Sequence, residues 1–381
     1  MKKTKRQNGI TLVALVITII ILLILATISI QSLTNTGLFA KAQEAKEKTK
    51  NATENQTKTL NEYEDELNKY ISGTVEENKD PIREKANKVL STTDNTELQD
   101  AYGNKIVVPA GFKIVLDDTT NNAVTVDKGI VIEDVTSAET AGSQFVWIPV
   151  GTIYTDSEHT EVKKKTIELN RYTFDTNGNP TAQGENVIET YYSEKTSKGN
   201  TITKKENALA KSIANFKTSV ANNGGYYIGR YEARQKSEKI IVNKNDNVWN
   251  SITQPNASKQ SKNMYDTTHP FTSDLTNSYA WDTAILFLQT CGVNDKYSMQ
   301  TSSNSSLSTT GTTDDVQCNV YDMASNVLEW TTETSSYSGS LGVARGGNYL
   351  NSVDPSRRRV YENALAINDC YGFRPILYLN V

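Results

Sequence analysis

The sequence predicts an α+β protein in which a long N-terminal transmembrane helix precedes a head of short strands, two helices and much irregular structure. Three observations predict this class. Residues 10–30 carry no charge, residues 41–71 are charged and helix-prone, and after residue 93 short β-rich runs alternate with turn residues. This change of pattern indicates a helical N-terminal part followed by a separate folded head.

The composition is polar and weakly acidic. The 381 residues carry a net charge of −4 and include 19 Tyr against 8 Phe and 4 Trp. A general nucleic-acid binder usually carries a basic face, so nucleic acid is not an expected partner. The cysteines Cys291, Cys318 and Cys370 form no C-x-x-C pair, which argues against structural zinc. At most one disulfide is possible, the sequence does not select it, and we interpret the three as unpaired thiols.

The uncharged run Ile10–Ile30 predicts a membrane-spanning helix. A helix of this length extends about 31 Å, close to the hydrocarbon thickness of a bilayer. The basic residues Lys2, Lys3, Lys5 and Arg6 precede it, and no charge follows until Lys41. The positive-inside rule then predicts a single-pass membrane protein with a cytoplasmic N-terminus and an extracytoplasmic head at the cell surface.

The same segment resembles the N-terminus of a type IV prepilin, with a basic leader, a glycine and an apolar helix. The resemblance implies processing between Gly9 and Ile10 by a prepilin peptidase, with N-methylation of Ile10. Ala14 stands where pilins usually carry Glu, and an ammonium group buried without that carboxylate is costly in lipid. This departure argues against a major filament subunit. A minor pilin or pseudopilin with pilus or secretion partners, or a simple membrane anchor, stays open.

The predicted organisation has five parts. They are a basic leader at 1–9, the apolar helix at 10–30, a helical stalk at 31–72, a connecting α/β segment at 73–129 and a head at 130–381. Predicted helices of the last two parts cover Pro81–Leu90, Lys205–Val220 and a stretch containing Thr283–Leu288. Predicted strands cover Ile106–Pro109, Phe112–Leu116, Ile130–Ile132 and Phe145–Ile148.

Five segments of the head, in order, resemble the formylglycine-generating-enzyme family, whose sulfatase-modifying-factor domain is a variant of the C-type lectin fold. These segments are FVWIP at 145–149, YYIGRYE at 226–232, NVYDMASNVLEW at 319–330, RGG at 345–347 and GFR at 372–374. The residues themselves predict structural roles. Trp147 and Trp330 are expected core residues, Gly346 and Gly347 suit a tight backbone, and Arg374 is expected to donate to carbonyl oxygens.

The resemblance also implies what a catalytic member would need. Enzymes of this family oxidise a substrate cysteine with a copper-binding cysteine pair shortly after the RGG element. Residues 347–357 contain no cysteine, so we predict that the chain is not an enzyme. An oxidoreductase with an altered site stays an alternative. The family's calcium ligands match Asn326 and Glu329, which predicts calcium as a cofactor, although the same two residues could instead brace loops.

The C-terminal part of the head is rich in Ser, Tyr, Asn, Asp and Gly, a composition that antibody paratopes share. It therefore predicts a surface for an extracellular protein or glycan ligand. Its ending also resembles the variable proteins of diversity-generating retroelements, which implies that this surface is diversified. The candidate ligand-binding residues are Ser336, Tyr337, Asn348, Tyr349, Asn351, Ser352, Tyr361, Asn363 and Asn368.

Overall fold

The computed structural model describes residues 10–35, 46, 48–50, 80–117, 121–183, 192–195, 201–204, 209–301, 306–334, 341–350, 353–357 and 359–380. The chain divides into two compact units, Met1–Asn78 and Lys79–Val381. The leader, including Gly9, and most of the predicted stalk lie outside the described residues.

The first unit contains helix α1 (Ile10–Asn35). Its described side chains run from Leu15 to Thr27 and are exposed. No helix among the described residues combines the length and the apolar content needed to cross a membrane. The predictions of a transmembrane helix at Ile10–Ile30, and of a single-pass membrane location, are therefore wrong on this finding.

The helices of the second unit begin at side-chain caps, which satisfy the free N–H groups of a first turn. Asp80 accepts from the N–H groups of Ile82 and Arg83 at 3.1 Å, and Asn277 accepts from that of Ala280 at 2.9 Å. Within the described part of this unit the α-helices are α2 (Pro81–Lys85), α3 (Ile213–Asn223), α4 (Gln254–Lys262) and α5 (Ser278–Cys291). Short 3₁₀ turns lie at Val126–Lys128 and Tyr297–Met299.

The main sheet is antiparallel throughout and has six strands among the described residues. In order across the sheet they are β15 (Phe271–Leu275), β22 (Pro375–Leu379), β12 (Gly225–Gly229), β5 (Gln144–Pro149), β4 (Val131–Asp134) and β3 (Phe112–Ile114). All residues of β12 and β22 are buried. The sheet is therefore covered on both faces in its centre.

A second sheet carries the C-terminal motifs. Its order in the described chain is β20 (Arg359–Asn363), β19 (Leu341–Arg345), β18 (Leu328–Thr334) and β21 (Tyr371–Phe373). Strand β21 runs parallel to β18, and the other pairings are antiparallel. This pairing places the GFR segment directly beside the NVLEW segment.

The remaining described strands form two-stranded antiparallel hairpins. They are β1 (Thr96–Gln99) with β2 (Lys105–Val108), β6 (Gly151–Tyr154) with β7 (Lys164–Ile167), β8 (Tyr172–Phe174) with β9 (Pro180–Ala182), β10 (Tyr192–Lys195) with β11 (Thr201–Lys204), β13 (Arg234–Lys236) with β14 (Lys239–Ile241), and β16 (Val316–Gln317) with β17 (Val320–Tyr321).

Most predicted elements of the second unit are present, with shifted ends. The helix predicted at Lys205–Val220 is α3, which begins only after the Ser212 cap, and the one predicted around Thr283–Leu288 is α5. The prediction of two helices missed α4, whose buried side chains are Gln254, Ala257, Ser258 and Ser261. These small and polar residues give no apolar stripe, so hydrophobic periodicity could not find the helix.

The core extends into the part of the chain that precedes the family-like motifs. Phe112 in β3 is 1% exposed, and its ring contacts those of Phe145, Tyr265 and Phe271 at centroid distances of 6.2, 6.0 and 5.5 Å. The side chains of Ile82, Ile106, Ile114 and Val126 are fully buried. Residues 80–128 therefore pack into the same core as the strands that follow.

This shared core predicts the effect of Phe112→Ala. Removing a buried aromatic side chain leaves a cavity, and we expect the free energy of unfolding to fall by about 3–5 kcal/mol. Urea unfolding followed by both tryptophan fluorescence and circular dichroism should give one transition at lower urea. Val162→Ala, at a position 84% exposed, is the control and should change the free energy by less than about 0.5 kcal/mol. Two separate transitions would contradict a shared core.

Candidate ligand-binding face and the motif core beneath it

The Arg374 side chain is the centre of the motif core. It is fully buried, and its Nε lies 3.1 and 3.0 Å from the two carboxylate oxygens of Glu329. Its Nη1 donates to the carbonyl oxygen of Gly229 at 2.8 Å, and its Nη2 donates to that of Tyr321 at 2.8 Å and to Glu329 at 2.6 Å. The prediction that Arg374 bonds carbonyl oxygens is confirmed, and the bidentate pairing with Glu329 adds charge to that role.

Further carboxylates surround this pair. Glu232 is fully buried, where it accepts from Asn326 Nδ2 at 2.6 Å and from the N–H of Val327 at 3.2 Å. Burial, with Asp322 and Glu329 nearby, raises the pKa of Glu232 well above its ordinary value. Burial also raises the pKa of Asp322 and, against the effect of Arg374, that of Glu329. The motif core thus holds more carboxyl groups than the positive charge of Arg374 can neutralise.

The two residues that were predicted to bind calcium are bonded within the protein. Glu329 pairs with Arg374, while Asn326 donates to Glu232 and accepts from the N–H of Ser308 at 2.9 Å. In the part of the chain that the structure describes, no cluster of three His, Cys, Asp or Glu residues is arranged to hold a metal ion. These contacts correspond to the loop-bracing alternative, and calcium binding stays a prediction.

The RGG element is fitted against the NVYDMASN loop. Gly346 has φ +89°, and a Cβ at Gly347 would lie 2.1 Å from the carbonyl oxygen of Ala324. Only glycine allows this conformation and this approach at low cost. Arg345 is fully buried and pairs with Asp282 of helix α5. The element therefore positions the segment that begins at Asn348.

That segment meets two others to form what we call the C-terminal face: residues 348–350, 363–370 and 249–251. Asn250 Nδ2 donates to the carbonyl oxygen of Asp369 at 2.7 Å, and the N–H of Ser251 donates to that of Asn368 at 3.2 Å. Desolvation and hydrogen bonding to Asp369 raise the pKa of Tyr349 to about 12, so its hydroxyl stays protonated. Two large apolar side chains on this face are exposed, Leu350 at 60% and Ile367 at 70%.

The structure brings only some of the predicted ligand-binding residues to this surface. Tyr349, Asn363 and Asn368 lie in the face, and Asn363 and Asn368 are exposed. Asn348 is only 2% exposed and accepts from the N–H of Leu350 at 3.2 Å, so it braces a turn. Tyr361 lies in strand β20. Ser336, Tyr337, Asn351 and Ser352 lie outside the described residues.

A groove of about 800 Å³ opens beside the C-terminal face at Trp249. We call it the lysine groove, because Lys211, Lys239, Lys259 and Lys262 line it. Its wall also carries the aromatic residues Trp249 and Tyr265, the acids Glu238 and Asp266, and the amides Gln235, Gln260 and Asn263. Lys239 Nζ donates to the carbonyl oxygen of Asn263 at 2.7 Å, which fixes one of the four cations.

A buried carboxyl group lies close to the lysines. Asp274 is 3% exposed and accepts from the N–H of Lys211 at 2.6 Å and of Leu275 at 2.9 Å. Burial raises the pKa of Asp274 to about 7 against the opposing effect of these bonds and of Lys262 and Lys211. Burial lowers the pKa of Lys211 and of Lys262. The charge of this buried carboxyl group, close to Lys211 and Lys262, therefore changes near neutral pH.

Few local signals in the sequence indicate this groove. Its lysines come from the segment before α3, from β14 and from α4, so only the tertiary fold brings them together. Lys259 and Lys262 are three residues apart, a spacing that places two side chains on one side of a helix. The spacing of Lys259 and Lys262 could have predicted a shared surface only if helix α4 had itself been predicted.

The buried pair of the motif core predicts a large effect for Arg374→Met. The substitution leaves Glu329 buried without its partner, and we expect the free energy of unfolding in urea to fall by about 3–5 kcal/mol. The double variant with Glu329→Leu should recover part of that loss, because no buried charge remains unpaired. Lys164→Met, which breaks an exposed 3.4 Å pair with Glu161, should cost less than about 1 kcal/mol. Equal losses at both sites would contradict the role of Arg374.

Asp274 predicts a pH dependence with a definite sign. Its pKa is raised from 3.8 to about 7 on folding. Between these values the native state binds more protons than the unfolded state, so this group makes stability fall as pH rises from about 4 to 7. Relative to Asp274→Asn, the wild type should lose up to about 1.4 kcal/mol per pH unit across this window. Urea unfolding at pH 4.5, 5.5, 6.5 and 7.5 measures the difference, and a constant difference would contradict the raised pKa.

One comparison with known proteins, the match to a family model, covers the part of the chain that forms the motif core. Residues 132–377, about two thirds of the chain, match the family model of the sulfatase-modifying factor enzyme 1-like domain. No curated protein and no solved structure matched the chain. The resemblances to prepilins and to retroelement variable proteins thus gain no support from them. Together with the sheet-rich head and its motif core, the match shows that the chain belongs to the FGE-sulfatase family.

Proposed function

We propose that the FGE-type domain of this chain is a non-catalytic recognition module that binds an anionic carbohydrate in the lysine groove. The observation that carries the proposal is the composition of the groove wall. Four lysines, a half-buried tryptophan and several side-chain amides line one cavity of about 800 Å³. This set suits a ligand with negative charges, hydroxyl groups and an apolar ring face.

Each part of the wall has a separate task in this proposal. Lysine ammonium groups attract carboxylate or sulfate groups as point charges, and they can move on their flexible stems to reach them. The Trp249 ring supplies a flat apolar surface with a hydrogen-bond donor at its edge. The side chains of Gln235, Gln260 and Asn263 offer donors and acceptors to hydroxyl groups. The volume also lies within the usual range for ligand sites, about 300–1,000 Å³.

The residues of the motif core favour binding over oxidation. No cysteine occurs in residues 347–357, where the resemblance places the catalytic pair of the family's oxidases. Cys370, the next cysteine along the chain, has its thiol 3.5 Å from Asp369 Oδ1. Glu329, Asn326 and Arg345 are committed to partners inside the protein. The rival proposal of an oxidoreductase with an altered site would gain support if the purified chain oxidised a cysteine-containing peptide.

Diversification of the C-terminal face stays a hypothesis. Tyr349, Asn363 and Asn368 are placed where substitutions would change a surface without disturbing the core. Sequencing the 3′ end of the gene in many isolates tests it, because this mechanism changes adenines. Substitutions that are no denser at adenine positions than elsewhere would contradict it.

The lysine groove predicts selective loss of binding. Affinity electrophoresis with polygalacturonate and chondroitin sulfate as anionic probes, and dextran as the neutral probe, should retard the wild type only in the anionic gels. Lys259→Glu should weaken binding at least about tenfold, with a smaller salt dependence. Trp249→Ala should weaken it at low and at high salt alike, since the ring contributes apolar contact.

Lys88→Glu is the matched control, because Lys88 is exposed and does not line the groove. It changes the net charge by the same amount as Lys259→Glu and should leave the retardation unchanged. If the two variants weakened binding equally, the anionic probes would be binding through the net charge of the protein. That result would contradict binding in the lysine groove. Retardation by neither anionic probe would contradict the carbohydrate proposal directly.

A further inference from the structure

Two of the three cysteines, Cys291 and Cys318, lie against one cavity, whose lining does not include Cys370. Cys291 ends helix α5, and Cys318 lies in the turn between β16 and β17. Both are half-buried with free thiols, and both line a cavity of about 410 Å³. The sequence, which separates them by 26 residues, did not predict this proximity.

Contacts between their chain neighbours hold the two cysteines in place. Gln317 Oε1 accepts from the N–H of Val293 at 2.8 Å and from that of Asn294 at 3.3 Å. A Cβ at Gly292 would lie only 2.3 Å from the same oxygen. The residue after Cys291 thus touches the residue before Cys318, so the end of α5 and the β16–β17 turn are in direct contact.

The Cys318 side is further fixed by close packing. Its backbone has φ +43°, in the left-handed region that few residues other than glycine adopt. A Cβ at Gly129 would lie 1.9 Å from the Cys318 carbonyl oxygen, so only glycine fits beside this turn. The Cys318 thiol lies 3.6 Å from the carbonyl oxygen of Asp127. The surrounding structure therefore holds the Cys318 turn in an otherwise unfavoured conformation.

We propose that Cys291 and Cys318 are a redox-active pair that closes to an intramolecular disulfide, with Cys370 excluded from it. A small-molecule disulfide such as oxidised glutathione is the oxidant. One protein thiolate attacks it, releases one reduced thiol and forms a mixed disulfide. The second protein thiolate then attacks the mixed disulfide and releases the second reduced thiol. In total the protein loses two electrons and two protons, and the oxidant gains both and leaves as two reduced thiols.

Closure would act on the loop that the motif core needs. The disulfide would enclose residues 292–317, and this segment contains Asp315. The Asp315 carboxylate accepts from the N–H of Ala324 at 2.6 Å, from Ser325 Oγ at 3.1 Å and from Tyr297 Oη at 2.8 Å. A cross-link beside Asp315 therefore restrains the loop that carries Asn326 and leads into β18.

Burial raises the pKa of the Cys291 thiol to about 12 and that of Cys318 further. The thiolate is the attacking species, and its fraction grows about tenfold per pH unit below the pKa. The oxidation rate should therefore rise about tenfold per pH unit between pH 7 and 9. The pair should be slow to oxidise at neutral pH and stable once closed.

Thiol counting on the full chain tests the proposal. The wild type and the variants Cys291→Ser, Cys318→Ser and Cys370→Ser are incubated with oxidised glutathione at pH 8.5, denatured and titrated with a thiol reagent. Titratable thiols should fall from three to one in the wild type and from two to none in Cys370→Ser. They should stay at two in the single variants of the pair after any mixed disulfide is removed by a brief mild reduction. Peptide mapping should find the Cys291–Cys318 link.

The melting temperature supplies a second readout. The oxidised wild type should melt about 5 °C higher than the reduced protein, and Cys370→Ser should show the same shift. The shift should be absent in Cys318→Ser. Because the oxidised form of each protein is compared with its own reduced form, a lower overall stability of a variant does not affect this test. A link that involves Cys370, cross-linked dimers on non-reducing gels, or three titratable thiols at every pH would overturn the proposal.

Discussion

A single buried guanidinium connects parts of this domain that no regular sheet joins. Arg374 reaches the end of β12 through Gly229, the end of β17 through Tyr321, and β18 through Glu329. Buried carbonyl groups need donors, and a fold with short strands leaves many of them without a ladder partner. The Arg374 side chain supplies those donors from one point, and Glu329 supplies the charge that makes its burial tolerable.

The C-terminal face depends on this arrangement. Strand β21 runs parallel to β18, and Arg374 follows β21 directly, so the ion pair fixes the end of the segment that contains Asn368. Gly347 of the RGG turn packs closely on the carbonyl oxygen of Ala324, which belongs to the NVYDMASN loop. The face can therefore carry exposed residues such as Leu350 and Ile367 on a rigid base. Binding residues on loops usually need such a scaffold.

Local sequence signals were sufficient where the relevant physics is local. Short β-rich runs located β5 and β4 to within about two residues, and the motif residues Trp147 and Trp330 were assigned correctly to the core. Helix α4 was missed because its buried face is made of Ser, Ala and Gln rather than large apolar residues. The Thr253 cap and Pro255 in the first turn were the local signals that could have revealed it. The membrane prediction relied on the uncharged apolar run at Ile10–Ile30 and its flanking charges, but no helix among the described residues meets the requirements for crossing a membrane.

The candidate sites required tertiary information. The cysteine pair and the lysine groove each contain residues from more than one element. The spacing of these residues along the chain does not predict either site as a whole. The residues predicted from composition were only partly suitable, because composition does not distinguish an exposed Asn368 from a buried Asn348.

The position of β22 has a consequence for biosynthesis. This strand, Pro375–Leu379, lies between β15 and β12 in the interior of the main sheet, although it is the last of the described strands in sequence order. Until these residues have been synthesised, β15 and β12 have no partner between them and their facing hydrogen-bonding edges stay open. The sheet therefore closes late, by contacts that are very distant in sequence. Before β22 is inserted, the two open edges are sites where another chain could pair.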